Sequence, residues 1–293
     1  MTDQPPLSPQ PDPDTSRPVF AIPENACDSH CHVFSAATAA TLQANRAYTP
    51  PEAPRSALRK LHDALGIRRA VIVQASAHGH NNENILAAVA EDPANYRAIG
   101  AVTEAVTDAE LRRLHEGGVR GIRVNLVDKG GMPISSIDAI FGMADRIRDM
   151  GWHVELLIHV EEHPDFKRLV TGLKVPVSVG HIGYTKVKKG LDDPGYREFL
   201  AILRDGFGWV KLSGPFRISS EEALPYSDTA PFAAAVVAAA PDRVLWGSDW
   251  PHVMQRGPMP NDGKLLDLLQ DWVPDAAQRT RILVDNPARL YGF

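Results

Sequence analysis

Cysteine is scarce. The 293 residues hold two, Cys27 and Cys31, on one short segment. In an extended strand that spacing is beyond disulfide reach, so both thiols are expected to be free and buried. Neither belongs to a CxxC pair of the structural-zinc type. Basic excess is also missing: 31 Lys and Arg against 36 Asp and Glu give a formal net charge of −5, and the pI is about 6.1. A general nucleic-acid or anionic-membrane binder would need a basic face, so neither partner is expected. No apolar run approaches the ~20 residues of a membrane span. The leader has no charged-then-apolar signal design, which makes a cytoplasmic location the expectation.

What is present is ordinary globular composition, 44% hydrophobic and 23% charged, with ample length for a buried core. Residues 1–20 are rich in Pro, Asp, Gln and Ser without hydrophobic period. They are expected to form a disordered or loosely tethered tail, leaving 21–293 as one domain. From there apolar runs alternate with helical patterns. The runs begin with Cys27 to Phe34 and Ala70 to Ala75, then Ala98 to Val102 and Val119 to Leu126. Trp152 to Val160, Val175 to Gly180, Trp209 to Ser213 and Arg243 to Gly247 complete the series. Near-continuous apolar strands separated by helices indicate buried parallel strands. Eight such units predict an α/β fold of the (β/α)₈ TIM-barrel type, since right-handed crossovers let the series close. An open doubly wound sheet is disfavoured, because no Gly-rich phosphate loop follows an early strand.

In such a barrel the chemistry gathers where the strands end. On the first strand His30 and His32 lie two residues apart, and alternation puts them on one side, where they can share a metal ion or a substrate oxygen. Later ends offer Gln74 and Ser76 with His78 and His80, then Arg123 and Asn125 in phase, His159, His181, Lys211 and Ser213 with Arg217, and Asp249 with His252. Each has an ordinary alternative: a hydrogen-bonded core His, a strand cap, a structural ion pair, a solvated loop Arg. Together they exceed what folding requires at those ends, since buried charge costs stability unless paired or used.

Asp28-Ser29-His30-Cys31-His32-Val33-Phe34 and Trp246-Gly247-Ser248-Asp249-Trp250-Pro251-His252 resemble the first- and eighth-strand motifs of the amidohydrolase superfamily, and its lactonase branch in particular. Val73-Gln74-Ala75-Ser76, His115 to Arg123 and the closing Asn286-Pro287-Ala288-Arg289-Leu290-Tyr291 are similar to the same branch, so the likeness runs from about Ala26 to the C-terminus. The resemblance implies His30, His32, His181 and Asp249 as the catalytic set. It also implies Ser76, Arg123 and Arg217 as holders of substrate carboxylates; His78 and Asn125, from the strand ends, and Lys129 are added as further expected substrate contacts. The chain departs from the pyrone-dicarboxylate members of that branch: Leu157 stands where a Tyr is expected, Lys129 and Tyr184 where Arg is, and Met254 where Asn is. A related anionic lactone is therefore the expected substrate.

Ring-ester hydrolysis needs a water nucleophile, a base and stabilisation of the oxyanion. Asp249 is the expected base, with the imidazoles polarising the carbonyl directly or through a metal. His30, His32, His181 and Asp249 form a sufficient ligand set for one Zn²⁺, and His159 would add a fourth imidazole. No Lys or Glu stands at the fourth or fifth strand end to bridge two metals. A zinc-dependent non-oxidative decarboxylase of a carboxylated aromatic or muconate-like acid would use the same four residues and is the alternative. A non-catalytic barrel that binds acidic metabolites has no need of a base among imidazoles. The sequence leaves room for a homo-oligomer.

Overall fold

The computed structural model describes residues 5–128, 134 and 136–293. Its eight strands are β1 (Cys27–Cys31), β2 (Arg69–Val73), β3 (Tyr96–Gly100), β4 (Val119–Asn125), β5 (His153–Leu157), β6 (Val177–Val179), β7 (Trp209–Leu212) and β8 (Val244–Trp246). They form one parallel sheet in chain order. Between them lie α1 (Arg55–Leu65), α2 (Glu83–Ala90), α3 (Asp108–Glu116), α4 (Ile137–Ile147), α5 (Phe166–Gly172), α6 (Pro194–Arg204) and α7 (Ala230–Ala239). After β8 come α8 (Asp262–Trp272), α9 (Ala276–Thr280) and α10 (Asn286–Tyr291). The expected barrel is the one found.

The helices face the strands with spaced apolar residues. Leu58, Leu61 and Leu65 of α1 are buried at helical spacing. On α3, Thr107 caps the first turn by accepting from the Glu110 amide, and Leu111 and Leu114 turn inward. The apolar pattern of the sequence predicts a last helix over 276–284. The helical path instead continues to Tyr291, because Pro287 falls in the first turn of α10, where its missing N–H costs nothing.

Two cores result. The larger fills the space between strands and helices. The smaller lies inside the barrel, where Cys27, Val71, Val73, Ile99, Trp209 and Leu245 meet Leu290 and Tyr291 of α10. This apolar layer closes one end of the cylinder and leaves the polar side chains at the other.

Closure is made beyond β8. The Asp249 amide donates to the His30 carbonyl and the His32 amide to the Trp250 carbonyl, both at 2.8 Å. Gly247 permits this approach, since a Cβ there would lie 2.6 Å from that of His30. The residues that close the seam are therefore those bearing the predicted chemistry. Strict alternation would also place Asp28 beside His30 and His32. The register between β1 and β2 shifts between Asp28 and Cys31, and Asp28 turns instead to His62 of α1, 3.1 Å away.

Among the described residues of the leader there is no helix or long strand. Residues 5–20 are tethered along the domain: Leu7 bridges Thr49, Ser8 is buried, the Ser16 hydroxyl donates to Asn261, and the Val19 amide donates to Asp267. Cys27 and Cys31 are free and buried. Among the described residues no helix is long and apolar enough to cross a membrane.

Candidate active site

At the open end a cavity of about 410 Å³ is bounded by His32, Ser76, Arg123, His181, Arg217 and Asp249, six of the predicted site residues. His30 stands just beneath. Its ring centroid is 5.0 Å from that of His32 and 5.1 Å from that of His181, both edge-to-face. Asp249 is fully buried at the centre. Its Oδ2 accepts from Arg217 Nε at 2.6 Å. Its Oδ1 faces His30 Nε2 at 3.6 Å and His32 Nε2 at 3.7 Å. Both Asp249 Oδ1 and His30 Nε2 are buried without a hydrogen-bond partner.

Local backbone supports this convergence. Asp249 and His181 have φ of +63° and +54°, a region that side chains other than glycine's enter only where the surroundings enforce it. Gly214 makes room on the β7 side, where a Cβ would lie 2.9 Å from both Asp249 Oδ2 and His181 Nδ1.

Burial alone would raise the Asp249 carboxyl, but Arg217 and the imidazoles around it outweigh that and hold it well below the usual carboxylate range. Burial pushes His30 down to about 4, with Lys211 acting in the same direction. It lowers His32 as well, and His181 further. The centre is thus an ionised carboxylate among neutral imidazoles at neutral pH.

The opposite wall carries a second feature. Arg123 is 6% exposed and, among the described residues, donates only to the Gln74 carbonyl, at 3.2 Å. Among the described residues no carboxylate lies within ion-pair distance of it. Beside it Ser76 meets the buried Tyr48, whose hydroxyl burial raises to about 12. Arg123, Ser76 and Tyr48 thus group hydrogen-bond donors on one wall, chemistry that can take a small anion. Leu157, Tyr184, Phe216, Val253 and Met254 supply the apolar parts of the cavity, and Lys186 and Asp128 add charges of opposite sign.

Besides His30, which lies beneath it, three predicted residues do not line the cavity. His78 Nδ1 pairs with the Thr41 hydroxyl at 2.8 Å and its ring stacks on Phe34. Asn125 turns the loop after β4, accepting from the Val127 and Asp128 amides and donating to the Asp128 carboxylate. His159 stacks on Tyr184 at 4.8 Å and its Nδ1 meets the Tyr184 carbonyl at 2.9 Å. His159 is thus held behind Tyr184 and is not brought to the other imidazoles. Lys129 falls outside the described residues.

For a metal ion, donor atoms of His30, His181 and Asp249 lie within 4.8 Å of one another, all buried. The two orphaned atoms, His30 Nε2 and Asp249 Oδ1, are both in this group. The donor set fits one ion, with His32 adjacent and His159 outside it.

Sequence reasoning overlooked Tyr48, Asp128, Lys186 and Glu155. Glu155 is the consequential one. It sits in mid-strand on β5, where its Oε1 is 3.3 Å from His30 Nδ1 and its Oε2 pairs tightly with Lys211 of β7. The clue was a carboxylate within an otherwise apolar run, in phase with Leu157 and His159.

The amidohydrolase family profile matches residues 27–293. A 2-pyrone-4,6-dicarboxylate hydrolase of Comamonas testosteroni is 38% identical over 94% of this chain and 93% of its own. A 4-sulfomuconolactone hydrolase of Rhizobium radiobacter is 36% identical over 93% of this chain and 92% of its own. Among solved structures, a probable 2-pyrone-4,6-dicarboxylic acid hydrolase of Acinetobacter baumannii with citric acid bound superposes with a TM-score of 0.81. It is 26% identical and covers 92% of this chain and 100% of that one. A barrel whose first-strand imidazoles meet an eighth-strand aspartate, matched along nearly its whole length, places this chain in the amidohydrolase family.

Proposed function

We propose that the chain is a hydrolase that opens the ring ester of a small carboxylated lactone. The observation that carries this reading is the buried Asp249 carboxylate, anchored by Arg217 through Oδ2 and presenting an unpartnered Oδ1 to the cavity side of His30 and His32. In this reading the substrate carboxylate sits on Arg123, Ser76 and Tyr48, with Arg217 assisting from the facing wall. Water attacks the ester carbonyl, Asp249 Oδ1 takes its proton, and the imidazoles steady the developing oxyanion. Breaking the ring C–O bond leaves an alkoxide, which receives the proton from Asp249. The products are a hydroxyl and a new carboxylic acid on one open chain, and the acid releases its proton to solvent to become a carboxylate. Zn²⁺ held by His30, His181 and Asp249, with His32 beside them, would supply Lewis-acid polarisation of that carbonyl.

The test is a panel of carboxylated and sugar-acid lactones, assayed in a pH-stat on chelator-treated protein with and without added Zn²⁺. One acid equivalent per turnover is the expected outcome. Release of CO₂ instead would assign a decarboxylase, and full activity in the stripped protein would remove zinc from the scheme.

Arg123→Ala tests the anion receptor. A charge-assisted hydrogen-bond partner is worth about 1.5–3 kcal/mol, so KM for a carboxylated lactone should rise about 10- to 100-fold. kcat should change far less, because Arg123 stands apart from the scissile bond. An equal KM increase for an uncharged lactone would mean that Arg123 shapes the cavity and does not bind the carboxylate.

A further inference from the structure

Below the reacting centre the barrel interior holds a charge pair that the proposed chemistry leaves unused. Glu155 and Lys211 are fully buried, at 2% and 0% exposure, above the apolar layer containing Trp209 and Tyr291. Burial alone would raise Glu155 and lower Lys211. Their mutual attraction helps hold the Glu155 carboxyl well below its usual range, and it offsets only part of the effect of burial on Lys211, which stays below its ordinary value. A buried pair of this kind is seldom needed for stability, since apolar residues of similar volume serve as well or better. Its position is the informative feature. Lys211 Nζ is 3.2 Å and Glu155 Oε1 3.3 Å from the same atom, His30 Nδ1.

One of these neighbours can only donate and the other can only accept. A neutral imidazole carries one proton, and the partner of one nitrogen decides what the other presents. If Lys211 donates to Nδ1, Nε2 bears the hydrogen and directs it at Asp249 Oδ1, 3.6 Å away. If Nδ1–H donates to Glu155, Nε2 presents a lone pair to an anionic oxygen, which is repulsive unless a cation lies between them. We propose that Lys211 and Glu155 are positioning residues that fix the tautomer of His30, with Lys211 holding the Nε2–H form in the metal-free site and Glu155 supplying the acceptor that the opposite form requires. Net charge is the same in both forms, so no titration is involved. The same pair also fixes the ring in the plane that aims Nε2 at Asp249. The catalytic part of this inference rests on the lactonase reading; the tautomer itself does not.

The test uses the double variant Glu155→Leu/Lys211→Met, which removes both charges and keeps similar volume. A purely structural pair predicts a shifted Tm with unchanged turnover. The positioning role predicts a Tm close to that of the parent, a KM within a few-fold, and a kcat lower by about 10- to 100-fold, as for partners that orient a reacting imidazole. Unchanged kcat in the folded variant would overturn the proposal. Nitrogen-15 NMR of His30 in chelator-treated wild-type protein, assigned by the signal lost in His30→Asn, decides the question even if the double variant fails to fold. One neutral tautomer protonated at Nε2 is expected. A ring protonated at Nδ1, or one averaging between both forms, would overturn it. The NMR outcome does not depend on turnover, so a failed lactone panel and a failed tautomer assignment are separable.

Discussion

Asp249→Asn is expected to lower kcat by about 10³-fold while KM for the same lactone changes by only a few-fold, the range seen when a general base is removed. The amide oxygen can still accept from Arg217 Nε, so the 2.6 Å contact that anchors this position has a neutral replacement. What disappears is the anionic Oδ1, the atom that would take the proton from water. A Cβ at Gly214 would already lie 2.9 Å from Oδ2, so the carboxylate is closely backed on that side and the isosteric change is the informative one. Steady-state kinetics with a thermal melt of the variant checks the prediction. A variant that retains its Tm and more than a tenth of parental kcat would remove Asp249 from the role of base.

The second large effect is on stability in acid. His30 and His153 are completely buried and held down to about 4, in both cases first by loss of solvation. In the unfolded chain they take up protons near 6.5. Between those values the unfolded state binds more protons than the folded one, so stability falls as the pH drops from about 6.5 toward 4. Each group contributes on the order of 3 kcal/mol across that window, a large share of the roughly 5–15 kcal/mol by which a domain is stable. His78, likewise lowered to about 4 by burial, acts in the same direction. Asp28, Glu155 and Asp249 are held below their ordinary values despite burial, by the charged and hydrogen-bonding groups around them, and their contribution is lost as pH falls further. Calorimetry should show Tm lower by about 10 °C at pH 5 than at pH 7, with net proton uptake on unfolding. An unchanged Tm across that interval would mean that the buried imidazoles already carry protons in the native state.

The barrel was legible because its strands are buried on both faces and so read as apolar runs, and because helical patterns separate them. Listing the polar residues at the ends of those runs recovered His32, Ser76, Arg123, His181, Arg217 and Asp249 around one cavity. The same procedure misjudged His78, Asn125 and His159. Alternation reports which side of a strand a residue faces, and says nothing of which partner captures it once there. Thr41, the Asp128 amide and the Tyr184 carbonyl did the capturing, and all three lie in the connections beyond the strands, two of them in short 3-10 turns. Glu155 escaped for the complementary reason. A search confined to strand ends does not see a charge one layer deeper, and its partner Lys211 comes from a different strand 56 residues away. Tyr48 arrives on the irregular excursion after β1, whose path no periodicity encodes.

The seam of the barrel has a consequence for how this protein ages and fails. Strand one meets the end of the eighth run through the main chain of His30, His32, Asp249 and Trp250. Fraying at that joint would part the carboxylate from its imidazoles before any other strand had loosened. The proposed centre and the closure of the cylinder therefore depend on the same main-chain contacts, and under the proposed chemistry heat or acid that loosens the ring at this point would end turnover while most of the secondary structure still stands.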